Sequence, residues 1–214
     1  MKGYRKFLGE VREFMDRIGR RDEVLVVAVS KGVDPVRMIE VYEEGCRHFG
    51  ENRVQEASEK IPVVDRPDIV WHMVGHLQRN KVNKAVRLFD VIQSIDRREI
   101  AEAISKRLRR PMEVFVEVNT SGEPQKHGVA PEEARDLIEY VRSLPNLRLV
   151  GVMTVGPYPV EEKRSRRAFA LLRRIAEENG LPKVSAGMTE DWKYALLEGA
   201  NVLRIGRGIF GERR

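Results

Sequence analysis

Apolar positions Tyr4, Phe7, Leu8, Val11, Phe14, Met15 and Ile18 recur every three or four residues at the start of the chain, which predicts an amphipathic helix over Lys2–Ile18. The pattern then changes. Val24–Val29 reads VLVVAV, an unbroken and largely β-branched run of the kind that forms a strand covered on both faces, as strands of parallel sheets are. Asp34 and Pro35 follow as a helix N-cap and first-turn proline, opening a helical stretch to about Glu44.

This strand-then-helix order repeats. Further strands are predicted at Arg47–Phe49, Ile69–Val74, Val91–Ser94, Met112–Asn119, Leu147–Thr154, Lys183–Ala186 and Val202–Ile205. Helices fall near Val54–Ile61, Gln78–Leu88, Arg98–Leu108, Pro131–Ser143, Glu161–Asn179 and Asp191–Glu198, each with an exposed charged face. Strict βα alternation implies a parallel sheet. Six or seven strands would also suit an open, doubly wound sheet. Eight in a chain of 214 residues suit an α/β fold of the (β/α)8, TIM-barrel type, with an extra N-terminal helix and one domain over 1–214.

Composition narrows the class. There is no run of eighteen apolar residues and no charged-apolar-small leader pattern, so a cytoplasmic protein with no membrane partner is expected. The one cysteine, Cys46, allows no internal disulfide and no CxxC site. It reads as a small packed residue behind His48 and Phe49, with a catalytic thiol as the alternative. The net charge of +6 permits phosphate or nucleic-acid partners. Acidic and basic residues are mixed in nearly every segment, however, as in Glu161-Glu162-Lys163-Arg164, and no aromatic residues are interleaved for base stacking. Nucleic acid is therefore not expected, and the mixing fits salt-bridged helix surfaces of the kind heat-stable proteins also carry.

In either parallel arrangement ligands collect where strands end and helices begin. Lys31 ends the most apolar strand, where a partly desolvated ammonium becomes a better nucleophile, as imine formation requires; an ordinary lysine snorkelling from the barrel mouth is the alternative. Arg204 lies inside the last strand, where a charge needs an acceptor, either a structural carboxylate or a ligand. Gly206, Arg207 and Gly208 follow it and can turn backbone N–H groups toward a phosphate, helped by a short following helix; glycine also serves turns for conformational reasons alone. Ser185 and Thr189 offer two further hydroxyls, although Thr189, with Glu190 and Asp191 after it, also reads as a helix N-cap. Asn52 and His76 are expected at the mouth and His72 as a packed barrel residue. The histidines His48, His72, His76 and His127 lack metal-ligand spacing, so no metal is expected.

With those residues in hand, the chain resembles the YggS/PROSC family, the pyridoxal phosphate homeostasis proteins, over almost its full length. The likeness rests on motifs in order: AVSKG around Lys31, HFGENRVQE from His48, WHMVGHLQRNK from Trp71, QSID from Gln93, VNTSGEPQKHGV from Val118, GVMTV from Gly151, SAGMTED from Ser185 and LRIGRGIFG from Leu203. The resemblance implies a barrel shared with the cofactor domain of alanine racemases. It implies pyridoxal 5'-phosphate held as a Schiff base on Lys31, no established catalytic activity, and pyridoxal-phosphate-dependent apo-enzymes as partners. It further implies that Arg204 faces the pyridine nitrogen, that the backbone at Gly206 and Arg207 and the hydroxyls of Ser185 and Thr189 hold the phosphate, and that Asn52 lines the pocket. Two positions depart from the family pattern: Arg207 stands where members usually carry Ser or Thr, and SAGMT where they commonly carry SMGMS.

An arginine beside the pyridine nitrogen disfavours its protonation and weakens the ring as an electron sink. Racemases with the same arginine draw a second base from an additional β domain, for which a chain ending at Arg214 leaves no room. Binding, storage and delivery are therefore expected, from a monomer rather than a dimer. The alternative is an amino-acid racemase or lyase, in which Tyr158 or His76 would have to supply the proton-transfer group. A basic nucleic-acid or phosphate-polymer module rests on charge alone.

Overall fold

The computed structural model describes residues 3–212, so Lys2 of the predicted first helix lies outside the described residues. Helix α1, Tyr4–Arg17, buries Tyr4, Phe7, Val11 and Met15, the core of the predicted stripe. Eight strands follow: β1 Leu25–Val29, β2 His48–Glu51, β3 Val70–Met73, β4 Val91–Ile95, β5 Met112–Glu117, β6 Leu147–Met153, β7 Lys183–Ser185 and β8 Val202–Ile205. They pair in parallel in chain order, and β8 closes onto β1 with Val27 opposite Arg204 and Ala28 opposite Ile205. The sheet is a closed barrel, and the open doubly wound arrangement is ruled out.

Between the strands run α2 Pro35–Glu43, α3 Val54–Val64, α4 Val82–Leu88, α5 Arg98–Ser105, α6 Ala134–Ser143, α7 Glu162–Glu178 and α8 Trp192–Leu197, with the short α9, Arg207–Phe210, after β8. The expected start of α2 holds: the Asp34 carboxylate accepts from the Val36 N–H at 2.8 Å with Pro35 in the first turn. The helical stretches predicted from Gln78 and Pro131 open instead as 3₁₀ turns, Arg79–Lys81 and Pro131–Glu133. Strand β2 lies further along than its apolar residues suggest, because Gly50 and Glu51 pair with His72 and Met73 of β3. Helix α3 runs past Pro62 to the buried Val64, and Asp65, with φ 43°, closes it by donating to Ile61 O at 3.1 Å.

Most apolar residues pack between the strands and the helical ring, whereas Val27, Val91, Phe115, Met153 and Val202 fill the barrel itself. Cys46 is the packed residue expected of it: its Sγ contacts the His48 carbonyl at 3.3 Å, and burial pushes the thiol up to about 12. His72, Gln93, Ser185 and Arg204 are buried polar residues on the barrel strands. Among the described residues no helix is long and apolar enough to cross a membrane.

Candidate functional site

At the carboxyl-terminal ends of β1 and β8 a cavity of about 390 Å³ opens between Lys31, Asn52, Thr189, Arg204, Gly206 and Arg207, with Val29, Val74 and Val155 as apolar wall. The size suits a small cofactor. Two lysines line it. Lys126 is held by the Gly156 carbonyl and by Glu123, whereas the half-buried Lys31 has no hydrogen bond or ion pair among the described residues. The amine is thus free while its backbone is fixed. On one side of it the Ser30 carbonyl accepts from Lys60 Nζ at 2.7 Å, and on the other the Gly32 N–H donates to Glu56 at 2.5 Å. Lys60 also pairs with Glu56 and, at 3.0 Å, with the fully buried Glu51, which takes the Ser30 hydroxyl at 2.7 Å. Lys60, Glu51 and Glu56 were not singled out by sequence; charged residues in HFGENRVQE and the helix after it carry no mark of burial in their residue type.

Arg204 is buried, with 5% exposure, and needs acceptors. It finds neutral ones: Nη1 donates to Ser185 Oγ at 2.7 Å and Nη2 to the Thr154 carbonyl at 2.6 Å. Glu117 and Asp191 act on it only through space, and burial outweighs them to bring the guanidinium down to about 10. Two of its five N–H groups are thereby used, so a donor remains for the cavity it lines.

The structure corrects the expected role of Ser185. Its hydroxyl has no exposure and does not line the cavity; it donates to Gln93 Oε1 at 2.6 Å and accepts from Arg204. Thr189 does line it, and its Oγ1 accepts the Gly208 N–H at 3.0 Å. That hydroxyl does not cap α8; Asp191 instead folds back onto the Met188 N–H at 2.6 Å. Gly206 and Arg207 lie at the rim, Arg207 exposed and paired with Glu190. Gly208 has a packing reason of its own, since a Cβ there would meet Ile205 Cγ2 at 2.8 Å and Phe7 at 3.2 Å. The residues present fit a phosphorylated aldehyde: a free amine, a buried cation with a spare donor, and a hydroxyl beside a turn that opens a helix.

His76 lies in an adjoining cavity that also reaches Lys31 and Asn52. Its Nδ1 stands 3.1 Å from Asp96 Oδ2 and its ring stacks on His127 at 3.9 Å and 17°. Burial lowers its pKa, against the opposing pull of Asp96. Ligating atoms of His76, Asp96 and His127 lie within 4.8 Å of one another, a grouping that chain spacing did not reveal because three loops build it. Nearly parallel stacked imidazoles hold their in-plane lone pairs in two separate planes, however, whereas a metal shared by both rings has to lie near the plane of each.

Residues 8–214 match the family model "Alanine racemase, N-terminal domain". The chain is 36% identical over 219 residues to the pyridoxal phosphate homeostasis protein of Aquifex aeolicus, covering 98% of this chain and 96% of that one. It is 37% identical to the human protein of the same name over 209 residues, 88% of this chain and 76% of that one. Among solved structures it resembles PipY of Synechococcus elongatus with pyridoxal phosphate bound, at a TM-score of 0.81 and 32% identity, covering 93% and 99% of the two chains. The same protein without the cofactor gives a TM-score of 0.84 at 36% identity, covering 88% and 93%. An alanine racemase of Clostridium difficile, 15% identical with a TM-score of 0.72 over 94% of this chain and 54% of that one, shares the fold.

Proposed function

The chain belongs to the pyridoxal phosphate homeostasis proteins, and from that premise we propose that it holds pyridoxal 5'-phosphate as a Schiff base on Lys31 and stores and delivers it. The observation that carries this reading is the unpartnered amine of Lys31, the free one of two lysines lining a cavity that also holds a buried arginine. When bound, the cofactor supplies an aldehyde that condenses with a primary amine and releases water.

The rest falls to the side chains. Arg204 would face the pyridine nitrogen and disfavour its protonation, Asn52 would line the ring, and Thr189 with the backbone at Gly206 and Arg207 would hold the phosphate. Ser185 orients Arg204, and Gly208 orients Thr189. His76 borders the mouth. Relatives are named for homeostasis of the cofactor and not for a reaction, and an arginine at the ring nitrogen works against carbanion chemistry. The partners are then apo-enzymes that use the cofactor, met in the cytoplasm by a monomer whose residues 1–214 act as one domain.

The test is the absorption spectrum. The purified protein should show a visible imine band that borohydride fixes covalently and that Lys31→Ala abolishes; a colourless protein that pyridoxal phosphate does not reconstitute refutes the proposal. Incubation with amino acids in deuterated water should give no Lys31-dependent exchange at the α-carbon, and exchange above that of free cofactor would favour a racemase or lyase.

A further inference from the structure

The opposite end of the barrel is also hollow. A cavity of about 880 Å³ lies at the amino-terminal ends of the strands, among Leu25, His48, Val70, Val91, Met112 and Lys183. Its wall also carries Arg87, Arg107, Arg109, Arg110 and Arg148, against the acidic residues Asp90 and Glu113. Glu113 takes both Arg148, at 2.5 Å, and Lys183, at 2.9 Å, and Arg110 stands 3.8 Å from Asp90. Arg107 is hydrogen-bonded to the Ala103 carbonyl at 2.9 Å and to Asn83. Arg87 and Arg109 have no side-chain hydrogen bond or ion pair among the described residues. The acidic groups of the wall are thus paired with other cations, and the two guanidiniums on the same concave surface have no ion-pair partner among the described residues.

A buried hydrogen-bond chain fixes what His48 presents there. Arginine can only donate. Because Arg204 Nη1 donates to Ser185 Oγ at 2.7 Å, the Ser185 hydrogen goes to Gln93 Oε1 at 2.6 Å. The Gln93 amide then donates from Nε2 to His72 Nδ1 at 3.0 Å, and His72 Nε2–H donates to His48 Nδ1 at 2.9 Å. A flipped Gln93 would leave the Ser185 hydrogen without an acceptor in a fully buried place, a cost of about 1–3 kcal/mol. Neutral His48, accepting at Nδ1, therefore carries its proton on Nε2, a donor on a half-buried ring that lines the cavity.

We propose that this cavity is a second ligand site, for a small anion of the phosphate class, with Arg87 and Arg109 as its uncompensated cations and His48 Nε2–H as its fixed donor. Active sites of this fold lie at the other face, so the site binds and does not catalyse. Free phosphate and the phosphate group of a small metabolite share this chemistry.

The test uses protein saturated with pyridoxal phosphate, so that the Lys31 pocket is filled, and titrates it with inorganic phosphate at low ionic strength. Binding is followed by calorimetry and by the imidazole nitrogen signals of His48. A saturable shift at His48, absent with chloride at equal ionic strength, is expected. Affinity should fall at least tenfold in the double variant Arg87→Ala/Arg109→Ala, whose positions are exposed, and should stay unchanged in Thr189→Val. No saturable response, an equal response to chloride, or wild-type affinity in the double variant would overturn the proposal. The visible band reports loading of the Lys31 pocket separately. If that band fails to form, the titration is run on Thr189→Val and read by the same criteria. Pyridoxal phosphate titrated into Lys31→Ala then tells a metabolite phosphate from the free ion by whether it competes at His48.

Discussion

Lys60 Nζ lies 2.7 Å from the carbonyl oxygen of Ser30, while its partner Glu56 accepts the N–H of Gly32 at 2.5 Å, so one ion pair on α3 grips both neighbours of Lys31. A free amine on a fixed backbone reacts with little reorganisation. Lys60→Met should therefore slow reconstitution with pyridoxal phosphate, measured as growth of the imine band. It should also cost roughly 3–5 kcal/mol in urea unfolding, because Glu51 is left buried and unpaired. The double variant Lys60→Met/Glu51→Gln removes that stranded charge and should recover much of the stability without recovering the rate. Recovery of both together would show that Lys60 serves only the fold.

Glu117, at the end of β5, is buried near Asp96 and Arg204, and burial first, then Asp96, pushes it up to about 7 against the opposing effect of Arg204. The unfolded chain titrates near 4.3. Between those values the folded state binds the extra proton, so stability falls as the pH rises from about 4.3 to 7 and then levels off. The full span amounts to roughly 4 kcal/mol. Glu117→Gln should flatten that slope and be the more stable protein at pH 8, with little difference at pH 5. Unfolding midpoints at the two pH values decide it, and a parallel offset at both would be the contrary result.

The barrel was legible in the sequence because its signals are local: a β-branched run, a proline after an N-cap, and apolar spacing all act within one element. The pocket was legible through strand ends, which place Lys31, Asn52, Thr189 and Arg204 around one cavity. What escaped was the meaning of hydroxyls and charges between elements. Ser185 ends β7 in sequence, but whether its oxygen meets a ligand or Arg204 depends on which side of the barrel wall it faces. The bond from Ser185 to Gln93 joins residues 92 apart, and the His76–Asp96–His127 group is drawn from three loops; neither has a period or a spacing to read.

Gly75 illustrates a residue whose reason is purely spatial. A Cβ there would lie 2.3 Å from the Asn52 carbonyl oxygen and 2.7 Å from its Cα, both backbone atoms that cannot swing aside. Gly75→Ala should destabilise the fold by roughly 1–3 kcal/mol, the usual cost of overpacking. By shifting Asn52 at the pocket wall it should also weaken cofactor binding. Thermal unfolding and a pyridoxal phosphate titration check the two effects, and an unaffected affinity would remove Asn52 from the pocket.

Arg207 stands where the family resemblance of the sequence leads one to expect a hydroxyl, so its surroundings decide what it does. Its guanidinium is exposed, held by Glu190 and 4.0 Å from Glu212, so two carboxylates draw it away from a ligand and neutralise it where it stands. The Thr189 hydroxyl is placed differently: it accepts the Gly208 N–H at 3.0 Å, which leaves its own hydrogen free to donate into the cavity. A main-chain cradle at 206–208 also tolerates any side chain at its middle position. Arg207→Thr should accordingly change pyridoxal phosphate affinity less than threefold. Thr189→Val, which keeps the shape and removes a hydrogen bond to a charged group, should weaken it about tenfold. Titration of both apoproteins settles the order: a larger loss from Arg207→Thr would make the arginine a phosphate ligand that leaves Glu190 when the cofactor binds.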